Sequence, residues 1–543
     1  MKGLMMDSHL TVSSILQYAE KYHQDGEIVS RNVEGGIHRY SYKDAAVRSR
    51  RLANGLKRLG VTPQDRVATL AWNTHRHYEL YYAVSGSGAI LHTINPRLFP
   101  DQLAYILNHA EDEVLFIDLT FIPLLEQVAP QLKSLKKIVV LTDREHMPKS
   151  PLPEAIPFLC YEALVEAESE VFEWPEIDET SAASLCYTSG TTGNPKGVLY
   201  SHRSTVLHAW ASISKDALDI GNNNTLLPVV PMFHVNAWGV PYSATMVGAK
   251  LILPGAGMDG ASLSELIAEE QVDLLLGVPT IWLGLLQYCD QKNIKLEPVK
   301  NVVIGGAAAP LSMIKAFQEK HDAFVMHAWG MTELSPIGTV NSLNRHMAKL
   351  PIEERYKLQT KQGRPVFGIE MKIAGADNQA LPHDGESFGH LLVKGPWVAS
   401  SYYKVEKSPL VDGWFDTGDV ATIDPQGYMN IVDRAKDVIK SGGEWISSID
   451  LENAAIGHPA LAECAVIGVP HPKWDERPLL LAVVRESMEI SKEEIISFLA
   501  DKVAKWWLPD DVIFVDELPH TATGKILKMK LRESYQSVLS EAT

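Results

Sequence analysis

Short apolar runs alternate with longer, polar-faced segments through the first half of this 543-residue chain. Runs of strand length occupy residues 65–73, 89–95, 113–119, 137–143 and 184–188. Strands separated by helix-length segments are typical of βαβ units, in which helices cover a parallel sheet. The pattern therefore predicts an α/β fold for the first half, with a further helix beginning at Ser201.

The second half changes from this alternation to strands between glycine-rich turns. Residues 368–375, 389–395 and 412–434 indicate a β-rich subdomain with a β-meander. A different pattern follows, with a helix near 448–456, strands at 464–470 and 479–485, and a helix whose capping box is Ser491 to Glu494. We predict a large domain over residues 1–434 and a small α+β domain over 435–543, joined near 433–436.

Composition narrows the classes of function. The net charge is −17, from 50 basic and 67 acidic residues, which argues against a nucleic-acid or anionic-membrane surface. The four cysteines are far apart in sequence and form no CxxC pair, so we expect reduced thiols and neither a zinc site nor a disulfide framework. The first ten residues lack the pattern of a signal peptide. Together these features predict a cytoplasmic protein.

One segment imitates a membrane span. Residues 226–249 contain no Asp, Glu, Lys or Arg, and this length could cross a bilayer. Three prolines, together with His234 and Asn236, interrupt the segment. A buried segment that lines a pocket is therefore favoured over an integral membrane helix.

The segment "YTSGTTGNPKGV" (187–198) offers phosphate-binding chemistry. Backbone N–H groups at glycines approach a phosphate closely, hydroxyls add donors and a lysine adds positive charge. The residues concerned are Ser189, Gly190, Thr191, Thr192, Gly193 and Lys196. A flexible surface loop is the alternative. The order of residues is not that of Walker A, and the chain contains neither GxSxG nor HExxH.

This segment closely resembles the phosphate loop of acyl-adenylate-forming enzymes, which include acyl-CoA synthetases, luciferases and peptide-synthetase adenylation domains. The resemblance continues, in the family's order, through "PMFHVNAW" (231–238), "GGAAAP" (305–310), "HAWGMTE" (327–333), "WFDTGD" (414–419), "DRAKDVIKSGGEWIS" (433–447) and "PHTATGK" (519–525). It implies that a carboxylate attacks ATP to give an acyl-AMP, from which coenzyme A then takes the acyl group.

The resemblance assigns roles around the nucleotide. Glu333 and Thr188 would hold Mg²⁺, and Thr332 would contact the α-phosphate. Adenine would lie between the "GGAAAP" loop and an aromatic ring that is commonly Tyr but here is Trp329. Asp419 would receive the ribose hydroxyls beside Arg434. The other residues predicted to line this site are Ala307, Ala308, His327, Ala328, Gly330 and Met331.

The resemblance also implies two catalytic lysines in a mobile C-terminal domain. Lys525 would contact the carboxylate and α-phosphate during adenylation, and Lys440 would serve thioester formation. Lys436 occupies the hinge position about which the small domain would swing. The predicted contacts to the nucleotide or to CoA on the second face are Lys440, Gly442, Gly443 and Trp445.

The acid is predicted from "FHVNAW". Amino-acid-activating relatives typically have Asp where this chain has His234, a predicted catalytic residue, so an amino-acid substrate is disfavoured. Trp238 resembles the gate of the acyl tunnel in fatty-acyl-CoA synthetases, although a packed core tryptophan is the alternative. Val235 and Gly306 are predicted to line the acyl or CoA site. The whole pattern resembles medium-chain fatty-acid–CoA ligases and 3-methylmercaptopropionate–CoA ligases.

We therefore predict an ATP- and Mg²⁺-dependent acid–CoA ligase for a short-to-medium-chain fatty acid or 3-methylmercaptopropionate. The alternative is an enzyme that loads a carrier-protein thiol. A luciferase-like oxygenase and a non-catalytic nucleotide-binding protein are less favoured, the latter because Lys525, Glu333 and Asp419 are all present. We also expect a homodimer.

Overall fold

The computed structural model describes residues 1, 3–152, 156–188, 194–375, 377–442, 444–486, 488–520 and 526–539. In chain order, the first strands are β1 (Glu27–Arg31), β2 (Ile37–Ser41), β3 (Arg66–Leu70), β4 (Ile90–Thr93), β5 (Val114–Ile117), β6 (Lys137–Val140), β7 (Phe158–Cys160), β8 (Ala182–Tyr187), β9 (Gly197–Ser201), β10 (Thr225–Pro228), β11 (Lys250–Leu253), β12 (Leu274–Gly277) and β13 (Asn301–Ile304). They are followed by β14 (Phe324–Gly330), β15 (Ile337–Val340), β16 (Arg364–Pro365), β17 (Glu370–Ala374), β18 (Phe388–Lys394), β19 (Leu410–Val411), β20 (Trp414–Ile423), β21 (Met429–Arg434), β22 (Ile439–Ser441), β23 (Glu444–Ile446), β24 (Leu461–His471), β25 (Asp475–Val484) and β26 (Asp511–Phe514).

The helices are α1 (Val12–Tyr22), α2 (Tyr42–Arg58), α3 (His75–Gly86), α4 (Pro100–Ala110), α5 (Ile122–Val128), α6 (Tyr161–Glu166), α7 (His202–Ser212), α8 (Val240–Val247), α9 (Gly260–Glu270), α10 (Pro279–Lys292), α11 (Leu311–His321), α12 (Ile352–Gln359), α13 (Ser448–Ala455), α14 (Lys492–Ala500) and α15 (Lys528–Tyr535). Two of their predicted beginnings are observed directly. Ser201 and Ser491 each cap a helix, accepting a hydrogen bond from the backbone N–H three residues on.

Two large, mostly parallel sheets form the N-terminal part of the chain. One has the strand order β7-β6-β5-β3-β4-β8-β9, and the other has the order β16-β15-β14-β13-β12-β10-β11-β1-β2. A single apolar core contains residues of both sheets and of α1, α2, α3, α7 and α8, so helices lie between the sheets. All twelve residues of α3 are buried, as expected for a helix covered on every side. The other faces of the two sheets are covered by α4 and α5 and by α9, α10 and α11.

Two smaller sheets follow. Strands β17 to β21 form an antiparallel sheet of order β17-β18-β20-β19, with β21 paired to β20. The last sheet has the order β23-β22-β25-β24, with β26 parallel to β25, and it has an apolar cluster on each face. β21 ends at Arg434 and β22 begins at Ile439, so only residues 435–438 connect the two sheets. The structure confirms the predicted fold class, with two βαβ-type sheets, a β-rich subdomain and a small α+β C-terminal part.

The segment that imitates a membrane span is folded into the large domain. Residues 226–249 comprise part of β10, an irregular turn and α8, and most of their side chains are buried. Among the described residues, no helix combines the length and hydrophobicity that crossing a bilayer would require.

Candidate active site

The hairpin of β8 and β9 presents the predicted phosphate-binding segment. The antiparallel pairing reaches Tyr187 and Gly197, and beyond it the backbone N–H of Thr188 donates to the carbonyl of Lys196 at 2.9 Å. Thr188 and Lys196 therefore form the base of the loop. The predicted phosphate ligands within the loop, Ser189, Gly190, Thr191, Thr192 and Gly193, lie outside the described residues.

Tyr402 joins two predicted site residues at the base of this loop. Nζ of Lys196 lies 4.9 Å from the centre of the Tyr402 ring, within cation–π range. The hydroxyl of Tyr402 donates to Oε1 of Glu333 at 2.7 Å. Glu333 is buried, and burial raises the pKa of its carboxyl. Sequence reasoning missed Tyr402, because the string "SSYYK" carries no known chemical pattern.

The turn that carries Thr332 and Glu333 follows β14 directly. Gly330, the last residue of β14, lies where an added Cβ would come 2.2 Å from the carbonyl oxygen of Pro336. Only glycine fits there. Met331 then donates its N–H to the same carbonyl at 3.2 Å. The carbonyl of Thr332 accepts a hydrogen bond of 2.6 Å from the hydroxyl of Tyr200, so β9 fixes this turn to the phosphate hairpin.

The "GGAAAP" loop follows β13, and His327 lies beneath it. Gly306 and Ala307 are exposed, whereas Ala308 is half-buried. The N–H of Ala309 donates to Nε2 of His327 at 3.3 Å, and Nδ1 lies 2.9 Å from the carbonyl oxygen of Thr360. Because Nε2 accepts, the ring proton is assigned to Nδ1. Burial lowers the pKa of His327 to about 4, so the ring stays neutral while it supports the loop.

Thr360 belongs to residues 344–363, a segment to which sequence reasoning assigned no function. The segment contains α12, whose Tyr356 and Gln359 are buried while residues 351–354 are exposed. The side-chain amide of Gln359 donates to the carbonyl of Val325, in β14, at 2.8 Å. The segment thus supports β14, the strand that delivers the predicted nucleotide-binding residues.

The predicted ribose-binding group is a carboxylate held between two strands. Asp419 and Arg434 are directly opposed in the β20–β21 pair, and Nη1 of Arg434 lies 3.0 Å from Oδ1 of Asp419. From β14, the indole Nε1–H of Trp329 donates to Oδ2 of the same carboxylate at 3.1 Å. Trp329 is buried with Leu334 and Phe415. The tryptophan that replaces the family's common tyrosine therefore contacts the predicted ribose acid directly.

The predicted acyl-binding segment forms a left-handed turn. Val235, Asn236, Ala237 and Trp238 have φ angles of 47°, 51°, 48° and 57°. This conformation costs about 1–2 kcal/mol for each non-glycine residue and is least favourable for a β-branched one. A run of such residues persists only where surrounding contacts impose it, a situation typical of functional sites.

Buried polar contacts hold this turn. The amide of Asn236 donates to the hydroxyl of Ser184 at 2.9 Å, and the hydroxyl of Tyr81 donates to the carbonyl of Met232 at 2.5 Å. The next residue, Gly239, has a φ angle of 74° and lies against His208, whose ring would be 2.8 Å from an added Cβ. These contacts fix the direction in which Trp238 leaves the backbone.

Trp238 lies against the "GGAAAP" loop. A Cβ built on Gly305 would come 3.0 Å from Cη2 of Trp238 and 3.1 Å from the carbonyl oxygen of Ala328. Gly306, with a φ angle of 79°, lies beside Val278. Val235 is buried, while His234 and Trp238 are half-buried. The structure thus brings Trp238 and the predicted adenine loop together at one wall of the site.

The predicted thioester-forming face lies on the β22–β23 hairpin. Lys440 is exposed and is paired in register with Trp445, whose ring centre lies 5.1 Å from that of Phe388 in β18. At the tip, Gly442 has a φ angle of 59°, and its N–H donates to the carbonyl of Trp474 at 2.7 Å. Lys436 is exposed in the connecting segment. Gly443 and Lys525 lie outside the described residues.

A second feature missed by sequence reasoning is a buried ion cluster at this connection. Asp433 accepts hydrogen bonds from the backbone N–H and the hydroxyl of Ser448. Nζ of Lys528, in α15, donates to the same hydroxyl and lies 2.7 Å from Oε1 of Glu452. Arg532, one turn later, is ion-paired with Asp437. These contacts attach α15 to the connecting segment and to the start of α13, although the partners are about 80–95 positions apart in sequence.

Comparison with known proteins identifies the family. The AMP-binding enzyme family matches residues 16–403, and the AMP-binding enzyme C-terminal domain matches residues 450–525. A 3-methylmercaptopropionyl-CoA ligase of Ruegeria lacuscaerulensis is 53% identical over 541 residues, covering 99% of this chain and 100% of that protein. A medium-chain-fatty-acid–CoA ligase of Ectopseudomonas oleovorans is 50% identical over 540 residues, covering 99% and 98%.

A solved structure agrees over the full length. The anthranilate CoA ligase AuaEII, in complex with anthranoyl-AMP, superposes with a TM-score of 0.86 at 25% identity and covers 100% of both chains. Full-length similarity to CoA ligases at this identity also confirms the enzyme class predicted from the motifs. The chain therefore belongs to the AMP-binding enzyme family, as an AMP-forming acid–CoA ligase.

Proposed function

We propose that the protein converts a short-to-medium linear carboxylic acid, such as 3-methylmercaptopropionate or a medium-chain fatty acid, into its CoA thioester with ATP. The observation that carries the choice of acid is the wall formed by Trp238 against Gly305. It is apolar, and segment 231–240 contains no Asp or Glu to pair with a substrate ammonium group. An unbranched, uncharged tail suits such a wall, and the two relatives described above act on acids of this kind.

In the first step, a carboxylate oxygen of the acid bonds to the α-phosphorus of ATP, and the bond to the bridging oxygen of pyrophosphate breaks. Positioning and charge neutralisation supply most of the catalysis, because both reactants are anionic. Lys196 and the 188–193 loop would bind the phosphates, and Thr332 would contact the α-phosphate. Lys525 would stabilise the charge that develops between carboxylate and phosphate.

Glu333 and Thr188 are suited to Mg²⁺. Glu333 offers hard carboxylate oxygens, and its pKa is raised because the group is buried. Among the described residues, no three His, Cys, Asp or Glu side chains form a metal-binding group, so water and phosphate oxygens would complete the shell. That division of ligands is usual for Mg²⁺. The ion would neutralise charge on the polyphosphate.

In the second step, the CoA sulfur bonds to the acyl carbon and the bond to AMP breaks. Lys440, Gly442, Gly443 and Trp445 would serve this step after the small domain turns about residues 433–436. Support for a hinge there comes from the short connection between β21 and β22 and from the exposure of Lys436. Three further expectations stay predictions: the domain limits 1–434 and 435–543, the homodimer and the cytoplasmic location.

The experiment is a measurement of pyrophosphate, AMP and thioester formation across a panel of acids, with and without CoA. The panel comprises acetate, butyrate to decanoate, 3-methylmercaptopropionate, a cinnamate and several amino acids. We expect CoA-dependent turnover that peaks at short-to-medium linear tails. Adenylate without a CoA product would instead favour transfer to a carrier-protein thiol, and a preference for cinnamate or amino acids would overturn the proposed acid.

Two variants separate the proposed steps. Lys525→Ala should abolish most pyrophosphate formation, whereas Lys440→Ala should still form acyl-AMP and lose most thioester formation. Lys530→Ala, at an exposed position of α15, is the matched control and should leave both steps unchanged. Equal loss of both steps in Lys440→Ala would contradict its assignment to the second step.

A further inference from the structure

The carboxylate of Asp419 is contacted by residues of two strands that are far apart in sequence. Arg434, on β21, approaches Oδ1 at 3.0 Å, and the Trp329 indole, on β14, donates to Oδ2 at 3.1 Å. Asp419 itself is 5% exposed. A carboxylate bound at both oxygens cannot rotate freely about its Cβ–Cγ bond. Trp329 and Arg434 therefore both restrict the orientation of this carboxylate.

The indole that makes this contact is itself immobilised. One edge of Trp329 lies so close to Gly338 that an added Cβ would be 2.4 Å from Cζ3. Leu334, Phe415 and other apolar side chains of the same cluster surround the ring. Because this packing restricts rotation of the ring, it holds the N–H towards Oδ2. Neither Phe nor Tyr has a donor at the corresponding ring position.

We propose that Trp329 is a positioning residue for recognition of the nucleotide ribose, acting through Asp419. This inference rests on the proposed function, in which Asp419 accepts hydrogen bonds from the ribose hydroxyls. Stacking on adenine needs only the ring face and would survive in any aromatic residue. Positioning of Asp419 needs the indole N–H. The two contributions of one side chain can therefore be separated experimentally.

The test compares binding of AMP and 2′,3′-dideoxyAMP by calorimetry, without metal or acid. A hydrogen bond to a charged group contributes about 1.5–3 kcal/mol, so the wild type should bind AMP roughly 10- to 100-fold more tightly. In Trp329→Phe, we expect the ratio of the AMP affinity to the 2′,3′-dideoxyAMP affinity to fall about fivefold or more, while the affinity for dideoxyAMP changes little. In Asp419→Ala the ratio should be near one, and adding Trp329→Phe to Asp419→Ala should not change it further.

The other possible results of this comparison contradict either the inference or the proposed function. If Trp329→Phe weakens both nucleotides equally, the residue acts only through stacking or packing, and the inference is wrong. Replacement of Trp329 by 3-benzothienyl-alanine, which keeps the ring shape and removes only the N–H, guards against loss of folding and should narrow the ratio in the same way. If the wild type binds AMP and 2′,3′-dideoxyAMP equally well, the inference is wrong but the proposed function is not contradicted. A wild type that binds neither nucleotide overturns the proposed function as well.

Discussion

The hydroxyl of Tyr402 donates a 2.7 Å hydrogen bond to Oε1 of Glu333, although the two residues are 69 positions apart in sequence. This contact fixes one oxygen of the proposed metal-binding carboxylate. The same ring lies 4.9 Å from Nζ of Lys196. Tyr402 therefore contacts both charged groups that would face the polyphosphate.

Tyr402→Phe removes the hydroxyl and keeps the ring beneath Lys196. Since a hydrogen bond to a charged group contributes about 1.5–3 kcal/mol, the Mg²⁺ concentration for half-maximal pyrophosphate release should rise roughly tenfold. The measurement is a Mg²⁺ titration of the initial rate at saturating acid and ATP. Tyr403→Phe, at the neighbouring half-buried tyrosine, is the control and should leave the titration unchanged. An unaltered midpoint in Tyr402→Phe would show that the hydroxyl does not orient Glu333.

Gly305→Ala should shorten the range of accepted acids. The new methyl group would lie 3.0 Å from Cη2 of Trp238, so the indole must shift by a few tenths of an ångström, and we expect it to shift towards the proposed acyl site. One methylene in an apolar pocket is worth about 1–3 kcal/mol, so kcat/KM for the longest accepted acid should fall at least about tenfold, with less effect on a shorter one. Gly284→Ala, where an added Cβ meets no atom within 4 Å, is the control. A uniform loss over all acids would argue against an acyl wall at Gly305.

His327 should make the protein sensitive to mild acid. Burial lowers its pKa from 6.5 to about 4 in the folded state, so between these values only the unfolded chain takes up the proton. The free energy of unfolding should therefore fall as pH decreases from 6.5 to 4, by about 1.4 kcal/mol per pH unit from this residue. Guanidinium chloride unfolding between pH 4.5 and 6.5 should show a shallower slope in His327→Gln. The exposed His383→Gln is the control, and equal slopes in all three proteins would contradict this account.

Lys528→Met should destabilise the C-terminal part and loosen its connection to the large domain. It leaves Glu452 and Asp433 buried without the ammonium group, a change that typically costs about 3–5 kcal/mol. Thermal unfolding and limited proteolysis of residues 435–438 would measure the effect. Arg532→Met, which removes the more exposed pair with Asp437, should have a smaller effect. Adding Glu452→Met to Lys528→Met should restore part of the stability. If Lys528→Met does not destabilise the protein and the double variant is no more stable than Lys528→Met, the cluster contributes little to stability.

Local sequence signals predicted much of this molecule. Strands β3, β4, β5, β6 and β8, the Ser201 and Ser491 caps and the order of the motifs follow from patterns within a few residues. Strands β7 and β9 of the same sheet were not predicted. The left-handed turn could not be predicted, because Val, Asn, Ala and Trp have no shared local preference for positive φ, and distant contacts to Ser184 and Tyr81 impose it. The same holds for the contact between Trp329 and Asp419, a side-chain hydrogen bond between strands of two separate sheets.

The left-handed turn limits how this enzyme can be redesigned. Four successive side-chain-bearing residues at positive φ tolerate neither insertion nor deletion, because any shift in register would move Asn236 away from Ser184 and leave polar groups buried without partners. Variation in acid preference is therefore expected to arise in the glycine-rich loop that faces Trp238. If Trp238 forms the acyl wall as proposed, the turn would be a fixed reference surface, and small changes at Gly305 would set the depth of the acyl site.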